Sequence, residues 1–65
     1  MSIDNLRIGK HYFLRNFGES TSFLVLETIG SSDFRIKDLL TLETYKLSDL
    51  IRYGMGDDFD LYELD

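Results

Sequence analysis

His11 is the one residue of this 65-residue chain whose type most often serves enzymes as a general base. A histidine in that role needs a nucleophile or a bound water, and a second group that orients its ring. No spacing in the sequence supplies such a partner, and the absence of cysteine removes a thiolate nucleophile as well. The sequence therefore predicts no catalytic residue and a protein that is not an enzyme.

Asp57, Asp58 and Asp60 are the residues that could bind Ca²⁺, because carboxylate oxygens are its preferred ligands. A calcium loop places acidic or amide groups at alternate positions around a central glycine and closes on a glutamate. Here Gly54 and Gly56 come before the acidic residues. A single histidine without cysteine also leaves out the usual zinc ligand sets. We expect no metal or other cofactor, and interpret these acids as a solvated last strand whose charges discourage edge pairing.

Aromatic side chains are numerous for so short a chain and could do non-covalent chemistry. They could cage a methylated ammonium group, or stack single-stranded bases with help from basic neighbours. Alternatively, they fill the open ends of a small barrel. Phe17 stands out because it lies at the tip of a predicted turn, where little surrounds it. The candidate binding surface predicted from the sequence comprises Phe17, Tyr53, Tyr12, Arg15, Arg35 and Lys37.

Arg35 and Lys37 alternate with apolar residues and, with Arg15, could form a basic stripe. Cross-strand ion pairs with acidic residues are the alternative, and the nearby acids are Asp33, Asp38 and Glu43.

Net charge argues against a phosphate backbone as the partner. All seven basic residues and seven of the twelve acidic ones lie within residues 1–56, so the excess of −5 falls at the end of the chain. Binding to nucleic acid is driven by displaced counterions and needs a cationic surface. We therefore expect a partner that is another protein chain or a second copy, and we rank nucleic acid below both.

The longest apolar run, residues 23–26, is too short to cross a membrane. No basic stretch followed by an apolar one begins the sequence, so we expect no secretory signal and a cytoplasmic location.

Turn signals at short, regular intervals predict an antiparallel meander within one domain, residues 1–65. The predicted strands are residues 10–15, 21–29, 33–39, 45–47 and 58–62. Residues 23–26 are apolar at successive positions, which predicts a bent strand shared by both sheets of a closed barrel.

Residues 38–53 have two interpretations. Leucines near helical spacing favour a helix, whereas Thr41, Thr44 and Tyr45 favour a strand, which we prefer. Leu42 then occupies a turn position suited to glycine or asparagine, so this hairpin is expected to be either slightly strained or wider than ideal. Residues 48–53 before Gly54 predict one helical turn that packs Leu50 and Ile51 under the barrel.

The order of these elements resembles that of SH3-like and Tudor-like barrels, and the chain also looks like a group of small uncharacterised bacterial proteins of that fold. Residues 8–12 resemble the opening of such domains, and residues 48–53 take the place of their short 3₁₀ turn. The resemblance implies an all-β, five-stranded antiparallel SH3-like barrel with that turn before the last strand. It also implies binding through loops at one end.

One departure from the SH3 pattern bears on the ligand. The first loop, residues 16–20, is short, and the chain has no tryptophan, which disfavours recognition of proline-rich peptides. The predicted function is a non-catalytic protein-binding or assembly module. The alternatives are a weak nucleic-acid-binding barrel and a homo-oligomeric structural protein.

Overall fold

The computed structural model describes residues 5–64, which form a single antiparallel sheet and one short helix. The order of the strands in the sheet is β4-β3-β2-β1-β5. The elements are β1 His11–Asn16, β2 Glu19–Ile29, β3 Asp33–Asp38, β4 Thr44–Lys46, α1 Leu47–Leu50 and β5 Asp60–Glu63. The predicted all-β meander and the helical turn before the last strand are thus confirmed, with each strand shifted by at most two residues.

The predicted closure of the sheet into a barrel is wrong, because the sheet is open. β4 and β5 stand at opposite ends of the strand order and do not pair. Closure requires the two terminal strands to offer matched hydrogen-bonding edges. β4 has only three residues and runs directly into α1, whose Asp49 carboxylate accepts a hydrogen bond from the Lys46 N–H (3.3 Å).

The core lies on one face of the sheet and is built by strict alternation along the strands. Leu50 and Ile51 pack against it from the helical turn, as the sequence predicts. The buried apolar residues are Leu6, Tyr12, Leu14, Phe23, Val25, Phe34, Ile36, Leu47 and Leu61.

The doubled apolar pattern of β2 has a different cause from the one predicted. Phe23 and Val25 are buried in the core, whereas Leu24 is half-buried on the opposite side and Leu26 is exposed. The pairing with β3 shifts between Val25 and Glu27, so a bulge bends β2 at Leu26. The second apolar set therefore lies on the face turned away from the core, which we call the outer face.

The β3–β4 connection confirms both the strand interpretation and the predicted strain. Leu42 has a φ of 65°, the left-handed region that suits glycine or asparagine. The Asp38 carboxylate supports this turn, since it accepts hydrogen bonds from the N–H groups of Leu40 (2.7 Å) and Thr41 (3.1 Å). The Tyr45 hydroxyl also donates to it, at 2.9 Å.

Candidate binding surface

The β1–β2 hairpin ends in a two-residue turn that holds a phenylalanine in a strained conformation. Asn16 and Glu19 are paired, and Phe17 and Gly18 between them have φ values of 52° and 77°. Two positive φ values define the turn that most often carries Asn-Gly. A bulky side chain at the first position costs about 1–2 kcal/mol. Phe17 also remains 56 % exposed, so the chain itself does not bury the ring.

Asp58 fixes this turn from the far end of the chain. Its two carboxylate oxygens accept hydrogen bonds from the N–H of Phe17 (2.8 Å) and from that of Gly18 (2.7 Å). Successive N–H groups of a tight turn form a small concave site for an anion. The hydrogen bond from Gly18, followed by that from Phe17, lowers the pKa of the Asp58 carboxyl below its ordinary value. The charged form therefore holds the hairpin tip to the segment that precedes β5.

Asn16 makes the second connection between the same two segments. It is 7 % exposed, and its side-chain amide bonds to the chain on both sides of Met55. Its Nδ2 donates to the Gly54 carbonyl (2.9 Å), and its Oδ1 accepts from the Gly56 N–H (2.7 Å). Both hydrogen-bonding groups of the amide are thus satisfied by backbone, which fixes the path of residues 54–56.

The Phe17 ring lies directly against Gly56. A Cβ placed there would stand 2.8 Å from Cδ1 and 2.9 Å from Cε1 of the ring. Any other residue would push the ring aside. One edge of the Phe17 ring is therefore seated on backbone while the rest faces solvent.

Two further apolar side chains are exposed on either side of Gly54. Tyr53 is 81 % exposed, with the Arg52 guanidinium 5.6 Å from its ring centroid, and Met55 is also exposed. Because Gly54 and Gly56 bond to Asn16, both side chains project from the segment held against the hairpin tip. We call Phe17, Tyr53 and Met55 the tip surface. Its polar neighbours in the sequence include the exposed acids Glu19, Asp57 and Asp58.

The six predicted site residues fall into three places. Phe17 and Tyr53 belong to the tip surface. Tyr12 is fully buried, where its ring stacks on Phe23 and its hydroxyl accepts from the Arg7 N–H (2.8 Å), so it does not contribute to an exposed surface. Arg15, Arg35 and Lys37 alternate with core residues and lie on the outer face.

The outer face also presents two aromatic rings that were not among the predicted site residues. Phe13 and Tyr62 stand opposite each other on β1 and β5, with ring centroids 5.1 Å apart. The Arg15 guanidinium lies 5.9 Å from the Phe13 ring. Arg35 forms the expected cross-strand ion pair, but with Glu27 (2.7 Å) and not with Asp33, Asp38 or Glu43.

The remaining polar side chains of the described chain include a histidine and a half-buried tyrosine. His11 lies half-buried on β1, opposite Leu24. Burial, together with the hydrogen bond to Asp38, raises the pKa of Tyr45 to about 12, so its phenol stays protonated and acts as a donor. Across residues 5–64, no group of three or more His, Cys, Asp or Glu side chains is placed to hold a metal. No helix in this range is long and apolar enough to cross a membrane.

Comparison of the chain with models of known protein families, with curated proteins and with solved structures found no match.

Proposed function

We propose that this chain is a non-catalytic protein-binding module and that the tip surface is where its partner docks. The observation that supports the proposal is the state of Phe17, which is strained, exposed and fixed in place. Residues in sparsely populated backbone conformations persist where their surroundings over-determine them, and they cluster at functional sites. Here Asp58 and Asn16 supply those surroundings.

Phenylalanine at position 17 does little for the fold. Asparagine would adopt this turn with less strain, and the present ring leaves more than half of its surface in water. Contact with another chain would bury that surface, and aromatic anchors commonly dominate binding energy at protein interfaces. Because the turn is held by hydrogen bonds before a partner arrives, less conformational freedom is lost on binding.

We further propose that the sheet is an SH3-like arrangement that is open between β4 and β5. The strand order and the helical turn between β4 and β5 support it. In such an arrangement, the β1–β2 tip and the segment before β5 lie at the end through which these domains bind, which agrees with the position of the tip surface.

Affinity capture with matched variants tests the proposal. The tagged chain is used to capture partners from a lysate of its source organism, in parallel with Phe17→Asn and Leu40→Asn. Leu40 is a fitting control because it is also an exposed apolar residue in a turn but is not one of the three residues of the tip surface. We expect the same proteins on the unmodified chain and on Leu40→Asn, and their loss from Phe17→Asn. Equal capture by all three chains would contradict the docking role of Phe17.

A single-stranded nucleic acid is the second candidate partner, and the outer face is the observation that favours it. Arg15 and Lys37 share that face with the stacked Phe13 and Tyr62 rings. Aromatic rings beside cationic groups are how such strands are bound. Fluorescence anisotropy with a labelled oligonucleotide tests this candidate. Affinity that falls steeply with added salt and is lost in Tyr62→Ser would support it, and no binding at low salt would refute it.

A further inference from the structure

Met55 is the residue of the tip surface that carries an oxidisable sulfur atom. The chain has neither cysteine nor tryptophan, so the thioethers of Met1 and Met55 are the groups that a peroxide oxidises most readily. More than half of the surface of Met55 lies in water, so a small oxidant reaches its side chain. Its neighbours in the chain, Gly54 and Gly56, have no side chains that would cover it.

The backbone on both sides of Met55 is held in place. The Gly54 carbonyl accepts a hydrogen bond from Asn16 Nδ2 (2.9 Å), and the Gly56 N–H donates to Asn16 Oδ1 (2.7 Å). Gly56 also lies against the Phe17 ring. These contacts keep the segment, and Met55 with it, at the hairpin tip. A chemical change at Met55 therefore occurs one residue away from the contact with the ring to which we assign docking.

Met55 contributes little to the core of the described chain. It is neither one of the buried residues nor one of the partly buried apolar residues that pack against them. A sulfoxide oxygen at this position would stay hydrated in the free protein, so oxidation should leave the stability of the fold unchanged. The same oxygen would have to lose its water when a partner covers the tip, and burying a polar group without a hydrogen-bond partner opposes binding.

We propose that Met55 is a site of reversible oxidation by hydrogen peroxide and that its sulfoxide prevents docking at the tip surface. The inference rests on the proposed function, because it requires that the tip surface bind a partner. Oxidation turns a flexible apolar side chain into a polar one, a change that disrupts interfaces containing methionine.

The reaction needs only the thioether and the peroxide. A lone pair of the sulfur attacks one peroxide oxygen, so that an S–O bond forms and the O–O bond breaks. The other oxygen takes the proton of the transferred one and leaves as water. The sulfur is oxidised by two electrons and the peroxide is reduced by two. Methionine sulfoxide reductases, one for each epimer of the sulfoxide, reverse the change, with a dithiol as the reductant that becomes a disulfide.

Mass spectrometry tests whether Met55 reacts in the folded chain. The chain and free methionine are treated with hydrogen peroxide in the same solution, and the peptide that contains Met55 is followed over time. We expect Met55 to be oxidised together with free methionine, and Tm to stay unchanged. A Met55 that remains intact while free methionine is consumed would overturn the proposal. A large fall in Tm would overturn it as well, because loss of binding would then follow from unfolding.

Capture from a lysate of the source organism tests the effect on docking. In an amino-terminally tagged chain, Met1→Leu leaves Met55 as the only methionine of the chain itself. We expect oxidation to reduce the captured partners at least about tenfold, because the sulfoxide loses its hydration on binding. Treatment with both reductases and a dithiol should restore capture. The sulfoxide content is measured again after capture, because lysates contain reductases.

Met55→Leu, made in the same Met1→Leu chain, is the matched control for the oxidised group. It has no thioether, so the treated and the untreated chain should capture partners equally, at whatever level leucine supports. An effect of peroxide that persists in this variant would place the oxidised group elsewhere and overturn the proposal.

Phe17→Asn, captured in parallel, separates this proposal from the proposed function. Loss of capture both in Phe17→Asn and after oxidation, with recovery on reduction, supports the two together. Loss in Phe17→Asn with full capture by the oxidised chain would overturn the effect of Met55 oxidation and leave docking at the tip intact. Equal capture by Phe17→Asn and by the untreated chain would refute docking at the tip, and its control by oxidation with it.

Discussion

Two of the hairpin turns of this sheet, the β1–β2 turn and the β3–β4 turn, carry the same backbone strain but are supported in different ways. In each, a large apolar residue has a positive φ, Phe17 at the β1–β2 turn and Leu42 at the β3–β4 turn. In each, an aspartate carboxylate accepts two backbone N–H groups of the turn. Asp38 lies within three residues of the groups that it binds, whereas Asp58 is 40 and 41 residues away.

The difference distinguishes a turn that serves its own hairpin from one that joins distant parts of the chain. The β3–β4 turn can form as soon as residues 38–44 come together. The β1–β2 tip acquires its support only when the segment before β5 has docked. Strain at the first is a local cost of connecting two strands. At the β1–β2 turn, the strain occurs beside an exposed ring, and residues distant in the sequence hold that turn in place. We assign binding to the tip for this reason.

The largest effect is expected from removing the buried amide of Asn16. Asn16→Ala leaves the Gly54 carbonyl and the Gly56 N–H without their partners, at a cost of roughly 2–4 kcal/mol. In a domain of this size, that lowers Tm by about 10 °C or more. Thermal unfolding followed by circular dichroism measures it. A change of only one or two degrees would mean that the amide does not hold the tip to the β5 side of the molecule.

Substituting the two aspartates tests local against distant support. Asp38→Ala should speed hydrogen exchange at the amides of Leu40 and Thr41 and leave residues 54–59 unaffected. Asp58→Ala should speed exchange at Phe17 and Gly18 and also loosen residues 54–59. Exchange measured by NMR on both variants makes the comparison. If Asp58→Ala affected only Phe17 and Gly18 and left residues 54–59 unchanged, the support of both turns would be local, and the distinction between them would not hold.

Acid should weaken both turns, by less than the substitutions do, since a protonated carboxyl keeps part of its hydrogen bonding. The hydrogen bond from the Thr41 N–H is the main reason why the pKa of Asp38 lies below 3.8. The hydrogen bond from the Gly18 N–H lowers the pKa of Asp58 in the same way. A carboxyl whose pKa is lower in the folded state than in the unfolded state stabilises the fold. This stabilisation is fully present at a pH above the unfolded-state pKa, and it is lost as the pH falls through the folded-state pKa. Urea unfolding from pH 6 down to about pH 2 should show a decline below pH 3.8, smaller in Asp58→Asn. A profile that is the same with and without the Asp58 carboxyl would contradict its role.

The smallest effect is expected from relieving the strain at Leu42. Leu42→Asn should stabilise the fold by about 1 kcal/mol, because asparagine tolerates a positive φ. It should leave partner capture unchanged, since the β3–β4 turn is structural in this account. Thermal unfolding and the capture experiment, run on this one variant, check both expectations. Loss of capture would place the β3–β4 turn in the binding surface.

Local patterns in the sequence predicted most of the fold. Alternation located the strands, Gly18 marked the first turn, and the unsuited Leu42 marked a strained one. Closure into a barrel could not be predicted from the sequence, because it requires a free hydrogen-bonding edge on β4. In the structure, the Lys46 N–H at that edge donates to the Asp49 carboxylate instead. The apolar run in β2 reflects an outer face that is partly apolar, and a pattern along one strand cannot distinguish that from a second buried face.

The candidate site was predicted only in part, for a similar reason. The position of Phe17 followed from the glycine after it. The roles of Asn16 and Asp58 depend on contacts about 40 residues apart, which no spacing reveals. Tyr12 shares the alternation that places Leu14 in the core, and this pattern was the signal against treating its ring as exposed.

The measurement that tests the central claim most directly is the melting temperature of Phe17→Asn beside that of the unmodified chain. If Phe17 is kept for contact and not for folding, asparagine relieves the strain, and Tm rises by about 4–8 °C for roughly 1 kcal/mol gained. A fall of several degrees would show instead that the ring, seated on Gly56, is part of what holds the fold together.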